Sequence, residues 1–260
     1  MKTSRWIINC SYLCSTALCL ALCLSSFAVE ITFDEPEYSA EGTQGTVLGI
    51  DGKLIKGQGG SPKWDDYGTD FAVVANAGKG GDNNGLVSTT NQVGSKSCVY
   101  TPSLAGLGIK AFTERSIQHF SIDVRLISNG GYTNQELYRL GIALVSSPVF
   151  PVEIQIQANS NVNINMNAGS GTSRKLTLVE ALPEDGDFRT FSGTIDYARR
   201  RVEIFLDGEP QGSYLFAGNY EGYGQFKFNI RQTSETAGIA IDNISAYVTE
   251  IPDASVVIIQ

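Results

Sequence analysis

The feature that most constrains the fold is a period-two alternation of apolar and polar residues, which recurs along most of the chain. In "HFSIDVRL" (residues 119–126), every second side chain is apolar and most of the side chains between them are polar. Successive side chains of a β-strand point to opposite faces, so this pattern predicts strands with one buried face. Helical periodicity is nearly absent after residue 28. We therefore predict an all-β protein.

Two longer stretches predict β-hairpins. The segment "VEIQIQANSNVNINMN" (152–167) consists of two alternating runs joined by a short polar turn, which directs its apolar residues to the core and its amides to the other face. The segment "RRVEIFLDGEPQGSYLF" (200–216) contains Asp207-Gly208, a pair strongly favoured in tight hairpin turns. Roughly twelve to sixteen such strands are expected. Without helices between them, they predict a two-sheet antiparallel jelly-roll sandwich, with "EITF" near residue 30 and "IAIDNISAYV" near residue 244 as neighbours.

The first 28 residues have the pattern of a secretory signal peptide. A basic start, "MKTSR", precedes a mostly apolar run over residues 6–24, and Ser26 and Ala28 fit the small positions before a cleavage site. We place the cut after Ala28, which leaves one sandwich domain over 29–249 and a short tail over 250–260. A retained membrane anchor is the alternative. The tail is too short to span a membrane, so the mature protein is predicted to be secreted, extracellular or periplasmic.

Cysteine usage and charge narrow the function further. Four of the five cysteines lie in the signal, which leaves Cys98 alone and allows no internal disulfide, so a monomer stabilised by its core is expected. Removing Lys2 and Arg5 takes the formal net charge from −8 to −10. An acidic protein of this kind is poorly suited to nucleic acid or anionic membranes. Its many carboxylates are available for cations.

One acid lies in an unexpected place. Strict alternation in "GIAIDNISAYV" (238–248) puts Asp242 on the more apolar face of the last strand, together with Ala240, Ile244 and Ala246. An unpaired buried carboxylate would cost several kcal/mol. Asp242 is therefore expected to be paired, either with a calcium ion or with a hydrogen-bond network that includes the "FDEPE" segment at residues 33–37.

Short motifs along the mature chain resemble secreted bacterial jelly rolls of the laminin-G and concanavalin-like type. The matching stretches are "ITFDEPEY", "FSIDVRL", "FSGTIDYARRRVEIFLDG" and "IAIDNISAYV". The resemblance implies a β-sandwich and carbohydrate binding, since several related modules bind carbohydrate. It also implies a structural calcium ion where the first and last strands meet. Calcium prefers carboxylate and carbonyl oxygens, and the residues implied as its ligands are Asp34, Glu35, Asp82 and Asp242.

Carbohydrate recognition is also favoured by composition, because sugars are bound by planar polar side chains and an aromatic platform. We expect Gln155, Asn163, Glu203 and Asn229 to line one open surface with Gln157, and Trp64 or Tyr220 to lie at its edge. Amide rows are also ordinary on solvated sheet faces. The alternative function is therefore a surface or matrix interaction protein without a small ligand.

Catalysis is less well supported by the sequence. His119 is the single histidine, and no tight cluster of carboxylates of the glycosidase kind is present, so we assign no catalytic residue. The stretch "YLFAGNYEGY" (214–223) resembles a strand of alginate-lyase jelly rolls, which would implicate Tyr220 and Gln155. The histidine and lysine positions of that family fall on Gln157 and Phe216. A polysaccharide lyase or glycosidase of the jelly-roll class is the second alternative.

Overall fold

A computed structural model describes the backbone, and most side chains, of residues 28–33, 47–49, 65–67, 71–81, 83–88, 98–100, 116–144, 150–168, 174–215, 224–231 and 237–250. These residues form sixteen strands and no helix, so none of the described segments is a helix that could cross a membrane. The strands in chain order are β1 Ala28–Ile31, β2 Val47–Gly49, β3 Asp65–Tyr67, β4 Phe71–Val74, β5 Gly85–Ser88, β6 Cys98–Tyr100, β7 Ser116–Asn129, β8 Glu136–Leu144, β9 Phe150–Gln157, β10 Val162–Ala168, β11 Arg174–Leu178, β12 Arg189–Asp196, β13 Arg201–Leu206, β14 Glu209–Leu215, β15 Gly224–Ile230 and β16 Ala237–Glu250.

The strands form two antiparallel sheets, which confirms the predicted all-β sandwich. The nine-stranded sheet has the order β14-β13-β12-β7-β16-β5-β4-β2, and β1 also pairs with β16. The seven-stranded sheet has the order β11-β10-β9-β8-β15-β6-β3. In the first sheet Ile31 of β1 lies opposite Ile244 of β16, so the first and last strands are neighbours as expected.

The two inner faces meet in one hydrophobic core. On β7 the residues Phe120, Ile122, Val124 and Leu126 are all buried, in the alternation that the sequence predicts. The facing sheet contributes the apolar residues of the β9–β10 hairpin, which are Val152, Ile154, Ile156, Val162, Ile164 and Met166. Burial of these side chains is the main stabilising contribution to the fold.

The predicted hairpin turns are present. Asp207 and Gly208 between β13 and β14 have φ angles of 51° and 83°. Both therefore occupy the left-handed region that a two-residue turn matching the twist of the strands requires. The β9–β10 turn likewise has Ser160 at a φ of 66°.

A buried hydrogen bond joins the sheets through the core. Ser88 Oγ of β5 lies 3.1 Å from Tyr138 Oη of β8, and the Ile239 amide also donates to Ser88 Oγ at 3.1 Å. Burial raises the pKa of Tyr138 to about 12, and the Ser88 hydrogen bond opposes that rise. The phenol therefore stays neutral and bonded well above its ordinary titration range.

A β-bulge in β16 overturns the face predicted for Asp242. Asp242 lies opposite Asp123, and Ser245 lies opposite Ser121, so two residues of β16 oppose one of β7. Asn243 absorbs the extra residue with a φ of 45°. Side chains switch faces at such a bulge. Ile244 and Ala246 therefore enter the core, whereas Asp242 lies with Asp123 on the outer face of the nine-stranded sheet, and the expectation that it shares the face of Ile244 is wrong.

A second bulge lies at the start of β8. Glu136 is opposite Gln157, and Tyr138 is opposite Ile156, with a register shift between them at Leu137. Leu137 and Tyr138 are both fully buried. Glu136 and Arg139, which regular alternation would place on opposite faces, consequently share the outer face of the seven-stranded sheet.

Candidate functional site: the outer face of the seven-stranded sheet

A row of polar residues crosses the outer face of the seven-stranded sheet. Arg139 of β8 is opposite Gln155 of β9, Gln155 is opposite Asn163 of β10, and Asn163 is opposite Thr177 of β11. The backbone position of Asn229 on β15 extends the row on the other side of Arg139. Cross-strand partners lie on the same face, with Cβ atoms about 5 Å apart. We refer to Arg139, Gln155, Asn163 and Thr177 as the amide row.

A buried carboxylate supports this row from the next register position. Glu153 is only 2% exposed although it lies on the outer face, opposite Asn165. Its Oε1 accepts a hydrogen bond of 2.8 Å from Gln155 Nε2 and one of 3.5 Å from Asn165 Nδ2. Its Oε2 lies 3.4 Å from Arg139 Nη1. Burying a carboxylate is costly unless it is paired, and here two amides and a guanidinium compensate for the loss of water.

Arg139 is held in place by two acids. Its Nε and Nη2 donate to the two carboxylate oxygens of Glu136 at 2.7 and 3.0 Å, a bidentate arrangement that the bulge at Leu137 makes possible. The Glu136 hydrogen bond is the main cause of the raised pKa of Arg139, with further contributions from the charges of Glu153 and Glu136. The guanidinium is therefore a fixed element of the face and is already neutralised by its neighbours.

The far end of the row is also hydrogen-bonded. Thr177 Oγ1 donates to Asn163 Oδ1 at 2.8 Å. Asn163 is buried at 6% exposure, whereas Thr177 on the edge strand is exposed. Both amides at the centre of the row are thus oriented by a neighbouring side chain.

The structure brings together some of the predicted binding residues and separates others. Gln155 and Asn163 are direct cross-strand neighbours, as expected, and Gln157 lies at the end of β9 opposite Glu136. The placement of Glu203 on this surface is wrong, because β13 pairs with β12 and β14 in the other sheet. There Glu203 forms an ion pair with Arg201 at 2.9 Å. The side chain of Asn229, and all of Trp64 and Tyr220, lie outside the described residues.

Sequence reasoning missed three residues of this site. Alternation places Glu153 on the polar face of its strand, but its neighbours depend on the register of β9 and β10, which the sequence does not show. Glu136 and Arg139 were hidden by the bulge, since a strictly alternating strand would separate them. The pattern "QELYRLG" carries the signal only in retrospect, as two adjacent apolar residues between an acid and an arginine.

A second polar cluster surrounds Asp242, which is completely buried beneath a loop whose described residues are 76–81, 83 and 84. Its Oδ2 accepts hydrogen bonds from the Lys79 amide at 2.8 Å and Asn83 Nδ2 at 3.1 Å, and its Oδ1 accepts one from the Asn243 amide at 2.8 Å. Lys79 Nζ also reaches the neighbouring acid, Asp123, at 3.0 Å. One lysine therefore contacts both of the adjacent carboxylates.

The loop also contacts the segment that follows β1. Asn84 Nδ2 donates to the carbonyl oxygen of Phe33 at 3.0 Å, so the network reaches the first residue of the "FDEPE" segment. A methyl group on Gly78 would lie 2.4 Å from the Asn84 carbonyl oxygen and 2.8 Å from Asp242 Oδ2, so only glycine fits there. The expectation that Asp242 is paired through hydrogen bonds is confirmed.

The predicted metal ligands are described only in part. Asp34, Glu35 and Asp82 lie outside the described residues, and within the described ranges no group of three acid, histidine or cysteine side chains could hold a metal ion. Asn83 Oδ1, beside Asp242, is buried without a hydrogen-bond partner. It is a single oxygen next to a carboxylate that already accepts N–H groups.

His119 lies on the outer face of the nine-stranded sheet. Its ring stacks on Tyr247 with centroids 4.2 Å apart and an angle of 6° between the planes, and Nε2 is 3.1 Å from Thr249 Oγ1. Burial lowers the pKa of His119 below its ordinary value. These contacts fix the imidazole as a packed ring.

No protein-family model matches the chain, and no curated protein matches it. Among solved structures, it is similar to the binding domain of Paraclostridial Mosquitocidal Protein 1, at 12% identity and a TM-score of 0.55, over 79% of this chain and 49% of that one. A carbohydrate esterase from the Shiga toxin-encoding bacteriophage phi24B gives 16% identity and a TM-score of 0.56, over 87% of this chain and 99% of that one. A structure of botulinum neurotoxin type C gives 11% identity and a TM-score of 0.52, over 79% of this chain and 48% of that one. The chain thus spans about half of two of these structures, and identities this low show a shared fold alone.

Proposed function

We propose that this chain is a secreted, monomeric, non-catalytic carbohydrate-binding module of the laminin-G and concanavalin-like type. We propose further that it binds glycan on the outer face of the seven-stranded sheet. The observation that carries the proposal is the adjacent pair Gln155 and Asn163, each held by a side-chain hydrogen bond on one polar row.

The chemistry of the row suits a sugar. Sugar hydroxyls both donate and accept hydrogen bonds, and a planar amide offers one group of each kind. Gln155 and Asn163 are oriented by Glu153 and Thr177 before any ligand arrives. Little side-chain entropy is then lost on binding, which favours affinity. Outward-facing polar groups supported by a rigid strand are the type of surface on which weak, oriented binding of a glycan is expected.

The fold neighbours give additional support. One is a binding domain, one is a carbohydrate esterase, and cell entry of botulinum neurotoxin type C depends on interaction with two ganglioside molecules. Two of these descriptions concern binding, one concerns an enzyme, and two concern carbohydrate or its lipid conjugates. We take this fold to be one on which glycan recognition is readily built, and we infer the function of this chain from its own polar face.

A polysaccharide panel tests the proposal. The mature protein and a Gln155→Ala/Asn163→Ala double variant would be run through gels containing dextran, mannan, xylan, laminarin or alginate, with Glu203→Ala as a control on the other sheet. Retardation of the wild type and the control, but not of the double variant, is expected. Each truncated hydrogen bond costs about 1 kcal/mol, so the double variant should remain folded.

The same panel separates the alternatives. Equal retardation of the wild type and the double variant, or none with any glycan, would contradict binding at the amide row. Self-association or partner capture without sugar would favour a surface or matrix interaction protein. Release of reducing or unsaturated products from a glycan would favour a lyase or glycosidase.

We also propose a structural calcium ion near Asp242, to which Asp34, Glu35 and Asp82 would contribute. The support is the unpartnered oxygen Asn83 Oδ1, which lies close to the Asp242 carboxylate around Gly78. A ligand that binds only the folded state stabilises it by mass action. Chelator should then lower the melting temperature and added calcium should restore it. An unchanged melting temperature in chelator would contradict the calcium ion and leave Asp242 paired by hydrogen bonds, including those from the Lys79 amide, Asn83 Nδ2 and the Asn243 amide.

A further inference from the structure

On the outer face of the seven-stranded sheet, the Glu153 carboxylate fixes which atoms of Gln155 face outward. Glu153 is buried, and an ionised carboxylate can only accept hydrogen bonds. Gln155 must therefore direct its NH₂ group towards Glu153, as the 2.8 Å contact shows. This leaves Gln155 Oε1 as the group that faces away from the carboxylate.

Asn163 presents the opposite group. Its Oδ1 accepts the hydroxyl of Thr177, so its Nδ2 is the free end of the amide. Among the described residues, neither Gln155 Oε1 nor Asn163 Nδ2 has a hydrogen-bond partner. The two residues are direct cross-strand neighbours. An acceptor and a donor therefore lie side by side.

This arrangement matches two adjacent hydroxyl groups of a sugar ring. One hydroxyl donates to Gln155 Oε1, and its neighbour accepts from Asn163 Nδ2. A lone hydroxyl can satisfy only one of the two groups. The unsatisfied partner would then lose its hydrogen bonds to water without replacement, which penalises binding.

The charges of the face favour an uncharged sugar. Arg139, opposite Gln155, already binds Glu136 in a bidentate manner and lies 3.4 Å from Glu153, and Arg231 Nε lies 3.7 Å from Glu136 Oε1. Both guanidinium groups are thus already paired with carboxylates, and a uronate carboxylate would have to compete with Glu136 or Glu153 for them. Lys175 is exposed at the edge strand, one register position away from the row and opposite Asn165.

Resting on the proposed glycan-binding function, we propose that Glu153 is a positioning residue that fixes Gln155, and that the site recognises adjacent free hydroxyls on uncharged sugars. Glu153 does not touch the ligand in this proposal. It acts by forbidding the alternative amide orientation, which would present two donors side by side.

The choice of glycan tests the preference for adjacent free hydroxyls on uncharged sugars, and the choice of variant tests the positioning role of Glu153. Dextran, mannan and xylan carry adjacent free hydroxyls on their chain residues, laminarin has its middle ring hydroxyl blocked within the chain, and alginate adds a carboxylate to each residue. The wild type should bind at least one of the first three about tenfold more tightly than laminarin or alginate, as expected for one or two additional hydrogen bonds.

Variants test the role of the carboxylate. Glu153→Gln should reduce the preference over laminarin to within about twofold, because an amide there no longer dictates the orientation of Gln155. Glu153→Asp keeps an acceptor-only group and should recover part of the preference. Thr177→Val removes the partner of Asn163 on an exposed strand and should also lower the preference. Glu203→Gln and Thr194→Val are the matched controls on the other sheet and should change nothing.

The quantity measured is the ratio of the affinity for dextran, mannan or xylan to the affinity for laminarin. A purely structural role of Glu153 would leave this ratio unchanged. A wild-type protein that binds dextran and laminarin equally, or a Glu153→Gln variant with an unchanged ratio, would overturn this inference and leave the glycan-binding proposal standing. No retention of the wild type by any of the glycans would overturn both. If Glu153→Gln does not fold, Thr177→Val decides, and an unchanged ratio in that variant would equally refute the inference.

Discussion

Replacing Asp242 with asparagine tests whether one carboxylate holds the loop that contains Lys79 and Asn83 on the sheet. The substitution preserves shape and replaces one accepting oxygen with an NH₂ group. If the NH₂ group takes the Oδ1 position, it faces the Asn243 amide. If it takes the Oδ2 position, it faces the Lys79 amide and Asn83 Nδ2. Either orientation leaves at least one donor without an acceptor in a fully buried setting.

The magnitude follows from these contacts. A hydrogen bond to a charged group contributes about 1.5–3 kcal/mol, and a buried donor left unsatisfied costs about 1–3 kcal/mol. Part of this loss is offset, because Asp123 lies directly opposite Asp242 and repulsion between two adjacent carboxylates is removed. We expect Asp242→Asn to lower the free energy of unfolding by about 2 kcal/mol, which corresponds to a decrease of about 4–8 °C in the melting temperature of a domain this size.

Urea unfolding and amide hydrogen exchange measure the two consequences. The free energy of unfolding should fall, and the Lys79 amide should exchange faster than in the wild type, since its acceptor is the Asp242 carboxylate. Asp185→Asn is the matched control. That carboxylate is 76% exposed and bonds only Arg125 among described side chains, so its loss should stay within about 0.5 kcal/mol.

Two results would refute the reasoning. One is a free energy of unfolding for Asp242→Asn that equals that of Asp185→Asn. The other is a Lys79 amide whose protection is unchanged. Either would mean that the loop is held by contacts other than the carboxylate.

Two further predictions concern titrating groups. Tyr138→Phe should cost about 1 kcal/mol at neutral pH, because the bond to Ser88 is lost while the Ile239 amide still donates to Ser88 Oγ. The pKa of Tyr138 is raised from 10.0 to about 12 in the folded protein. The stability that its neutral form contributes is therefore complete below pH 10 and is lost as pH rises towards 12. If the wild type and Tyr138→Phe unfold in the same way as the pH is raised, this prediction is contradicted. The pKa of His119 is lowered by burial, so the stability linked to its neutral form is complete above pH 6.5 and is lost as pH falls. An NMR titration of this single histidine should show a midpoint below pH 6.5. A midpoint above pH 6.5 would contradict its burial.

Much of the architecture could be predicted from local pattern. Alternation in residues 119–126 identified a strand and its buried face, because a side chain's face depends only on its neighbours in the same strand. The Asp207-Gly208 turn was predictable for a similar reason, since both residues tolerate the positive φ that the turn needs. The first and last strands were expected to pair because each is an apolar strand at one end of a domain that must close its sheet.

Both polar clusters depended on features that only the tertiary structure decided. The extra residues at Leu137 and Asn243 shift side chains from one face to the other, and they bring Glu136 beside Arg139 and Asp242 beside Asp123. An alternating pattern carries no sign of such an inserted residue, because the bulge exists only relative to a partner strand distant in the chain.

The same limit explains the misplacement of Glu203. Its strand shows the same alternation as β9 and β10, and nothing within it specifies which sheet it joins. That choice follows from the pairing of β13 with β12, and of β12 with β7, which packs their apolar faces against the opposite sheet. Local sequence thus determined which side of each strand is polar. Long-range pairing determined which polar sides meet, because hydrogen-bond partners and core contacts are selected together when the two sheets pack.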